Sequence, residues 1–254
     1  MSLVMNENEW ARDVILRRDL GNKKFETLTR VARYYLESGF SKREVRRLLD
    51  AFVIQCDPEA SLPLYSDMLD SVMKAALKRK SINIESIGVT AKEFEAIAKS
   101  DQRQSRRLAF TLLVLAKYYD QAKPNNDHWV GTKDSDIMKM ANISTSIKRQ
   151  SAMYNHLNKL GLVQFSKQVD NISTRVTFVD DGDPVLVVTD LRNLGYQYMK
   201  YCGEDLYFVC ENCGITDKRR TVRGRTQKYC IDCATKIRTK QNVDAVMAAY
   251  YTNR

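Results

Sequence analysis

Four cysteines near the C-terminus constrain this chain more than any other feature. Cys210, Cys213, Cys230 and Cys233 follow the pattern C-x2-C-x16-C-x2-C. Each C-x2-C pair can curl into a knuckle that offers two thiolates on one side, and two knuckles complete a tetrahedron. Disulfide or redox readings fit less well. No apolar run precedes Trp10, Arg12 and Asp13, and no stretch approaches the roughly 18 apolar residues of a membrane span. A cytoplasmic protein keeps its thiols reduced and free for metal. The expectation is one structural Zn2+ on these four cysteines, in a cytoplasmic chain. Four thiolates fill the coordination shell and leave no place for water or substrate. The two histidines, His128 and His156, lie far away in sequence.

Between the two pairs the chain is basic. Lys218, Arg219, Arg220, Arg223, Arg225 and Lys228 face a single acid, Asp217. The whole chain carries 41 Lys and Arg against 31 Asp and Glu, a net charge of +10. Such a balance favours polyanionic partners without specifying a fold. Arg219, Arg220, Arg223, Arg225 and Lys228 are therefore candidate phosphate contacts. A basic loop can equally be a solvated face on a ribbon that only stabilises the C-terminus.

With only 10 Gly and 4 Pro in 254 residues, the fold is expected to be mainly α. Three domains are expected: a helical N-terminal domain over 1–80, a winged-helix-like α+β domain with a linking helix over 81–201, and a four-cysteine zinc ribbon with a terminal helix over 202–254. Helical spacing predicts helices over 26–37, 42–56 and 66–80, the second opened by the capping box Ser41–Glu44. Residues 81–89 read as a connector with a strand-like run at Ile82–Ile84. Thr90–Glu93 is a second capping box. Residues 103–119 are apolar nearly all round, which predicts a buried central helix. Helices over 133–141, capped by Thr132, and 145–160 follow. The runs 162–166 and 174–178 then flank a turn at Asp170-Asn171. Asp180-Asp-Gly-Asp183 reads as a further hairpin turn before Val185–Val188. A linking helix over 190–201 contains Gly195, which admits a bend. The terminal helix, 234–251, carries an apolar stripe of Val243, Val246, Met247 and Tyr250 that must pack on the body or on a partner. Cys56 ends a helical apolar stripe and reads as a core residue.

Three helices followed by a hairpin is the order of a winged helix, whose third helix enters the major groove while the hairpin touches the backbone. At 100° per residue, Ile147, Met153, Tyr154, Leu157 and Leu160 form the core arc of that third helix. Lys148, Ser151, Ala152, Asn155 and Lys159 occupy the opposite arc, with Arg149 and His156 at its edge. This arc offers cations for phosphate, an amide able to read adenine and small residues that permit close approach, with no acid. Lys148, Arg149, Ser151, Asn155 and Lys159 are the candidate DNA contacts, and Lys167 and Arg175 the candidate wing contacts. The alternative is that this surface contacts protein.

Trp129-Val130, Met138-Lys-Met-Ala-Asn142, Asp170-Asn171, Leu191-Arg-Asn-Leu-Gly-Tyr-Gln-Tyr198 and Cys210-Glu-Asn-Cys-Gly214 together resemble a group of phage and prophage zinc-ribbon proteins of Gram-positive bacteria. The resemblance implies DNA binding or an association with replication, inside the host cytoplasm. It assigns no catalytic residue.

Two functions follow from these readings. The first is nucleic-acid binding, with DNA favoured, in replication or transcription control. The second is docking on a host polymerase, helicase or defence complex. No enzymatic activity is expected, because the carboxylates are scattered rather than clustered for divalent metal, and no phosphate-binding glycine loop or Ser/His/Asp set is present.

Overall fold

The computed structural model describes residues 3–166, 173–220 and 227–252, with the side chains of 246 and 248–252 left out of account. The chain divides into two units, Met1–Ser86 and Ile87–Arg254. Helices dominate both, and among the described residues no helix is long and apolar enough to cross a membrane.

The first unit consists of α1 (Glu7–Arg17), α2 (Lys24–Glu37), α3 (Lys42–Cys56) and α4 (Leu62–Ala76). Its core is built from Leu28, Val31, Val45, Leu49, Phe52, Leu69 and Val72, with Cys56 partly buried against it. The capping box at Ser41 forms: Glu44 N–H donates to Ser41 Oγ, and Ser41 N–H to Glu44 Oε2 at 2.7 Å. Helix α4 begins four residues earlier than its apolar spacing predicts, at Leu62-Pro63, because proline suits the first turn of a helix.

Glu7, 2% exposed, closes this unit. Its carboxylate accepts from Arg30 Nε at 3.1 Å, Arg33 Nη1 at 3.2 Å, Arg79 Nη1 at 3.0 Å, Arg79 Nη2 at 2.9 Å and the Ile82 N–H at 3.1 Å. Glu7 N–H donates to Ile82 O, and Asn6 bridges Asn83. The run at Ile82–Ile84 is therefore pinned to the start of α1 by these bonds and by Ile84 N–H to Met5 O at 2.8 Å, around one isolated β-bridge, and forms no strand. The strand lies further on, at Ile87–Thr90.

The second unit opens with that strand, β1 (Ile87–Thr90), then α5 (Ala91–Ala98) and α6 (Arg103–Ala122). Every residue from Leu108 to Ala116 is fully buried, as a helix apolar all round requires. Then come β2 (Trp129–Val130), α7 (Asp134–Met140), α8 (Ile147–Lys159), β3 (Val163–Phe165), β4 (Thr174–Val176), β5 (Pro184–Val188) and α9 (Leu194–Tyr201). One sheet has the order β2-β4-β3, all antiparallel, with Val163 opposite Val176 and Trp129 opposite Arg175. Helix α6 packs against α7, α8 and α9 and against β2 and β4.

Three expectations change here. Asp180-Asp-Gly-Asp183 does not turn a hairpin: β4 is the central strand of one sheet, and β5 pairs with β1 in another, Ile87 opposite Val188. The loop is a crossover held by Glu93, which accepts from Asp180 N–H at 2.9 Å and pairs with the nearly buried Lys117 at 2.7 Å. Thr132 does not cap α7. Its hydroxyl meets Tyr119 Oη at 3.0 Å, and the helix starts at Asp134 without a side-chain cap.

Gly195 is not a bend either. It lies inside α9 where that helix crosses the end of α7, and a Cβ there would sit 1.9 Å from Ala141 O and 2.5 Å from Ala141 C. Both obstacles are backbone and cannot rotate away. Gly195→Ala is expected to cost about 3 kcal/mol and to lower the thermal midpoint of this unit by about 10 °C. A melting curve of the variant, followed by circular dichroism, checks this; a midpoint like the wild type refutes the close packing.

The chain ends in β6 (Tyr207–Val209), β7 (Thr216–Lys218) and α10 (Ile231–Thr252). Strands β6 and β7 form an antiparallel hairpin packed on α9.

Candidate metal centre and basic surfaces

The four cysteines meet. Their sulfurs lie within 4.8 Å of one another. Cys210 leaves the end of β6, Cys213 precedes β7, Cys230 stands just before α10 and Cys233 lies in its first turn. The knuckle between the strands is shaped by backbone bonds: Cys210 N–H donates to Ile215 O at 2.9 Å and Gly214 N–H to Cys210 O at 3.0 Å. Glu211 N–H donates to Lys228 O at 3.0 Å, which brings the second pair beside the first.

Tetrahedral zinc with bonds of about 2.3 Å to sulfur separates its sulfurs by about 3.8 Å. Cys213 Sγ and Cys230 Sγ lie 3.7 Å apart, so the donor set fits such an ion. Neighbouring donors aim at sulfur: Cys230 N–H at Cys210 Sγ, 3.3 Å, and Asn212 Nδ2 at Cys233 Sγ, 3.2 Å. Burial works to raise the Cys210 thiol, but the backbone N–H groups of Cys230, Cys213 and Asn212 outweigh it and bring it down to about 6. Burial pushes Cys213 up to about 12 and Cys230 up as well. Cys210 is thus the sulfur most ready to carry negative charge, while Cys213 and Cys230 hold their protons more tightly, and a divalent cation displaces such protons on binding. Among the described residues, Ile215 and Tyr229 pack with the cysteines in the core of this ribbon.

A seam that the spacing of cysteines does not reveal joins this site to the body of the second unit. Arg192, paired with Asp190 at 2.6 Å, donates to Cys213 O at 3.3 Å. The side-chain bond to Asp190 and its charge hold the Arg192 guanidinium above its ordinary range, against burial. Asn193 Nδ2 donates to Thr216 O at 3.0 Å, and Asn193 Oδ1 accepts from Asn142 Nδ2 at 2.9 Å. Arg107 donates to Ala141 O at the end of α7, at 2.9 and 2.8 Å. Residues 138–142, 191–198 and 210–214, three separate sequence motifs, therefore meet in space. The cue was the polar Arg192-Asn193 pair just ahead of an apolar helix.

Helix α8 presents the expected face. Lys148, Arg149, Ser151, Ala152, Asn155 and Lys159 are exposed, whereas Met153, Tyr154 and Leu157 are buried. Tyr154 Oη donates to Asp134 Oδ1 at 2.9 Å, and Asn158 Nδ2 donates to Val163 O at 2.7 Å, tying the helix to α7 and β3. His156 Nε2 lies 3.1 Å from Ser100 Oγ and serves packing. Ile147 departs from the expected core arc: it is 80% exposed. As the first residue of α8 it precedes the turn where the helix reaches its neighbours, so periodicity alone misplaces it.

The other predicted cations differ in freedom. Arg175, on β4, is tied to Asp127 Oδ1 at 2.6 Å. Arg219 folds back: its Nε donates to Asp205 O at 3.0 Å and its guanidinium lies 5.7 Å from the centre of the Phe208 ring. Arg220 has an exposed side chain, and its N–H donates to Gln227 Oε1 at 2.9 Å. Lys228 stands 3.5 Å from Glu211, an exposed pair. Lys167, Arg223 and Arg225 lie outside the described residues, as does the turn at Asp170-Asn171. The apolar stripe of α10 does not pack on the body where it is described: Val243 is 55% and Met247 48% exposed.

No known protein family, curated protein or solved structure matches the chain.

Proposed function

We propose that the second unit contains a winged helix that binds duplex DNA through α8, and that a zinc ribbon stapled by Cys210, Cys213, Cys230 and Cys233 supports it. The observation that carries this reading is the outward arc of α8, exposed, cationic and free of acids, on a scaffold ordered α6, β2, α7, α8, β3, β4 with the sheet β2-β4-β3. That order places a third helix on a three-stranded sheet, the arrangement in which such a helix enters the major groove. Lys148, Arg149 and Lys159 meet phosphate, and Asn155 reads a base edge. Among the described ribbon cations, Arg220 is the one best placed for further phosphate contact, since Arg219 folds back on Asp205 O and Lys228 stands beside Glu211. The role is control of replication or transcription, in line with the resemblance to phage proteins.

Binding of a labelled duplex, followed by fluorescence anisotropy, is expected to weaken steeply with salt, because neutralised phosphates release counterions. Lys148→Gln/Lys159→Gln is expected to lower the slope of log affinity against log salt by about 2. Asn155→Ala is expected to cost about 1–3 kcal/mol on a preferred sequence and little elsewhere. A flat salt profile, or no binding at low salt, sinks the proposal.

A second reading, docking on a host protein, draws on the exposed Val243 and Met247 of α10. Capture of one stoichiometric protein after nuclease treatment, lost in Val243→Ser/Met247→Ser, supports it; equal capture by the variant removes it.

A further inference from the structure

We infer that the first unit carries a second duplex-DNA contact surface, a helix-turn-helix made of α2 and α3, with α3 as the groove-reading helix. This inference stands on α3 alone and does not depend on α8.

Helices α2 and α3 are joined by the four residues Ser38–Ser41. Gly39 sits at φ +92°, a left-handed conformation that other residues adopt only with strain. Gly39 N–H donates to Leu36 O at 3.1 Å and Phe40 N–H to Tyr35 O at 3.2 Å, which stops α2, while Ser41 caps α3. A connection of this length with a glycine is one that helix-turn-helix pairs use.

Helix α3 buries Val45, Leu49, Phe52 and Val53. Its opposite arc carries Arg43, Arg47, Ala51 and Gln55, one stripe at four-residue steps, with Ile54 and Glu44 beside it, all exposed. The stripe reads cation, cation, small residue, amide. Arginine can grip the guanine edge or phosphate, glutamine can read adenine, and alanine allows close approach.

Charge pairing on α3 is selective. Arg46, just off this stripe, meets Asp50 at 3.4 Å and also Asp70. Among the described residues Arg43 and Arg47 make no ion pair, although like charges at this spacing repel. Glu44, the nearest acid, has its Oε2 committed to Ser41 N–H in the capping box and reaches Arg47 only through its field. The helix thus neutralises the arginine that packs and leaves bare the two that project. The occupant this matches is B-form DNA, since the narrow major groove of A-form RNA excludes a helix.

The test uses the full-length, zinc-loaded chain and a labelled duplex across about 50 to 200 mM salt. Arg43→Gln/Arg47→Gln is expected to lower the salt slope by about 2 and to weaken binding by roughly 10–100-fold. Lys74→Gln/Lys78→Gln, exposed cations on and just beyond α4, remove equal charge and are expected to leave the slope near the wild type. Circular dichroism and the thermal midpoint check that each variant folds. A slope and affinity for Arg43→Gln/Arg47→Gln equal to those of Lys74→Gln/Lys78→Gln overturn the inference and leave α3 as a surface for an acidic protein. The α8 variant separates the two readings. Loss with α8 alone ends this inference, loss with α3 alone ends the winged-helix reading, and loss with each supports both.

Discussion

Removing the metal, or replacing Cys213 by serine, is expected to unfold the C-terminal ribbon while the rest of the second unit stays folded. The reason lies in what the ribbon buries. Among the described residues its core consists of the cysteines themselves with Ile215 and Tyr229, and its two strands are three residues each. Such a segment has too little apolar surface to offset the entropy of ordering its chain. Structural zinc supplies on the order of 10 kcal/mol to sites of this kind, and that energy is the folding energy. Helix α6, by contrast, buries nine consecutive residues at full depth, independent of the cysteines. Metal analysis of the purified chain should therefore find one zinc per molecule. After chelation, limited proteolysis should cut within residues 204–252 and spare 87–200. A ribbon that resists protease without metal would overturn the assignment.

Glu7→Ala is expected to lower the stability of the first unit by about 3–5 kcal/mol, because it strands three guanidinium groups around a buried hole. For a domain of this size that corresponds to a loss of roughly 15–30 °C in the unfolding midpoint. The carboxylate also ties Ile82 and Arg79 to α1, so its loss should free the segment 79–84 as well. The acid response follows in sign. Burial alone would raise the Glu7 carboxyl, but the bonds from Arg79 and the Ile82 N–H and the charges of Arg79 and Arg33 hold it below its ordinary value of 4.5. Its contribution is complete above pH 4.5 and is lost as the pH falls through the lower, native value. Chemical denaturation of the wild type should weaken across that acid window, and Glu7→Gln should be less stable at neutral pH and show a flatter acid limb. An alanine variant within about 1 kcal/mol of the wild type would show the network to be dispensable.

Local signals in the sequence carried far. The two capping boxes, the all-apolar run that became α6, the C-x2-C pairs and the outward arc of α8 are each set by neighbours within a turn or two of chain, so spacing suffices to read them. Ile147 marks the limit of that method, since a residue can satisfy a helical period and still lie beyond the end of the packing surface. The same limit applies to the stripe of α10, whose apolar period is real but whose described members Val243 and Met247 stay about half exposed.

By itself the sequence determined the four-cysteine cluster, the helices and the excess of positive charge, because each depends on residue type and short-range spacing. Tertiary structure alone decided that Gly195 is a crossing point rather than a bend, that β5 pairs with β1 rather than β4, and that Asn142, Asn193 and Arg192 join α7 to the metal knuckle. It also decided which cations are free. Arg175 and Arg219 look like Arg43 and Lys148 in sequence, but a carboxylate or carbonyl from elsewhere in the chain claims the first two and leaves the others to solvent. Long-range pairing of this kind depends on where the chain returns in space, and no local pattern records it.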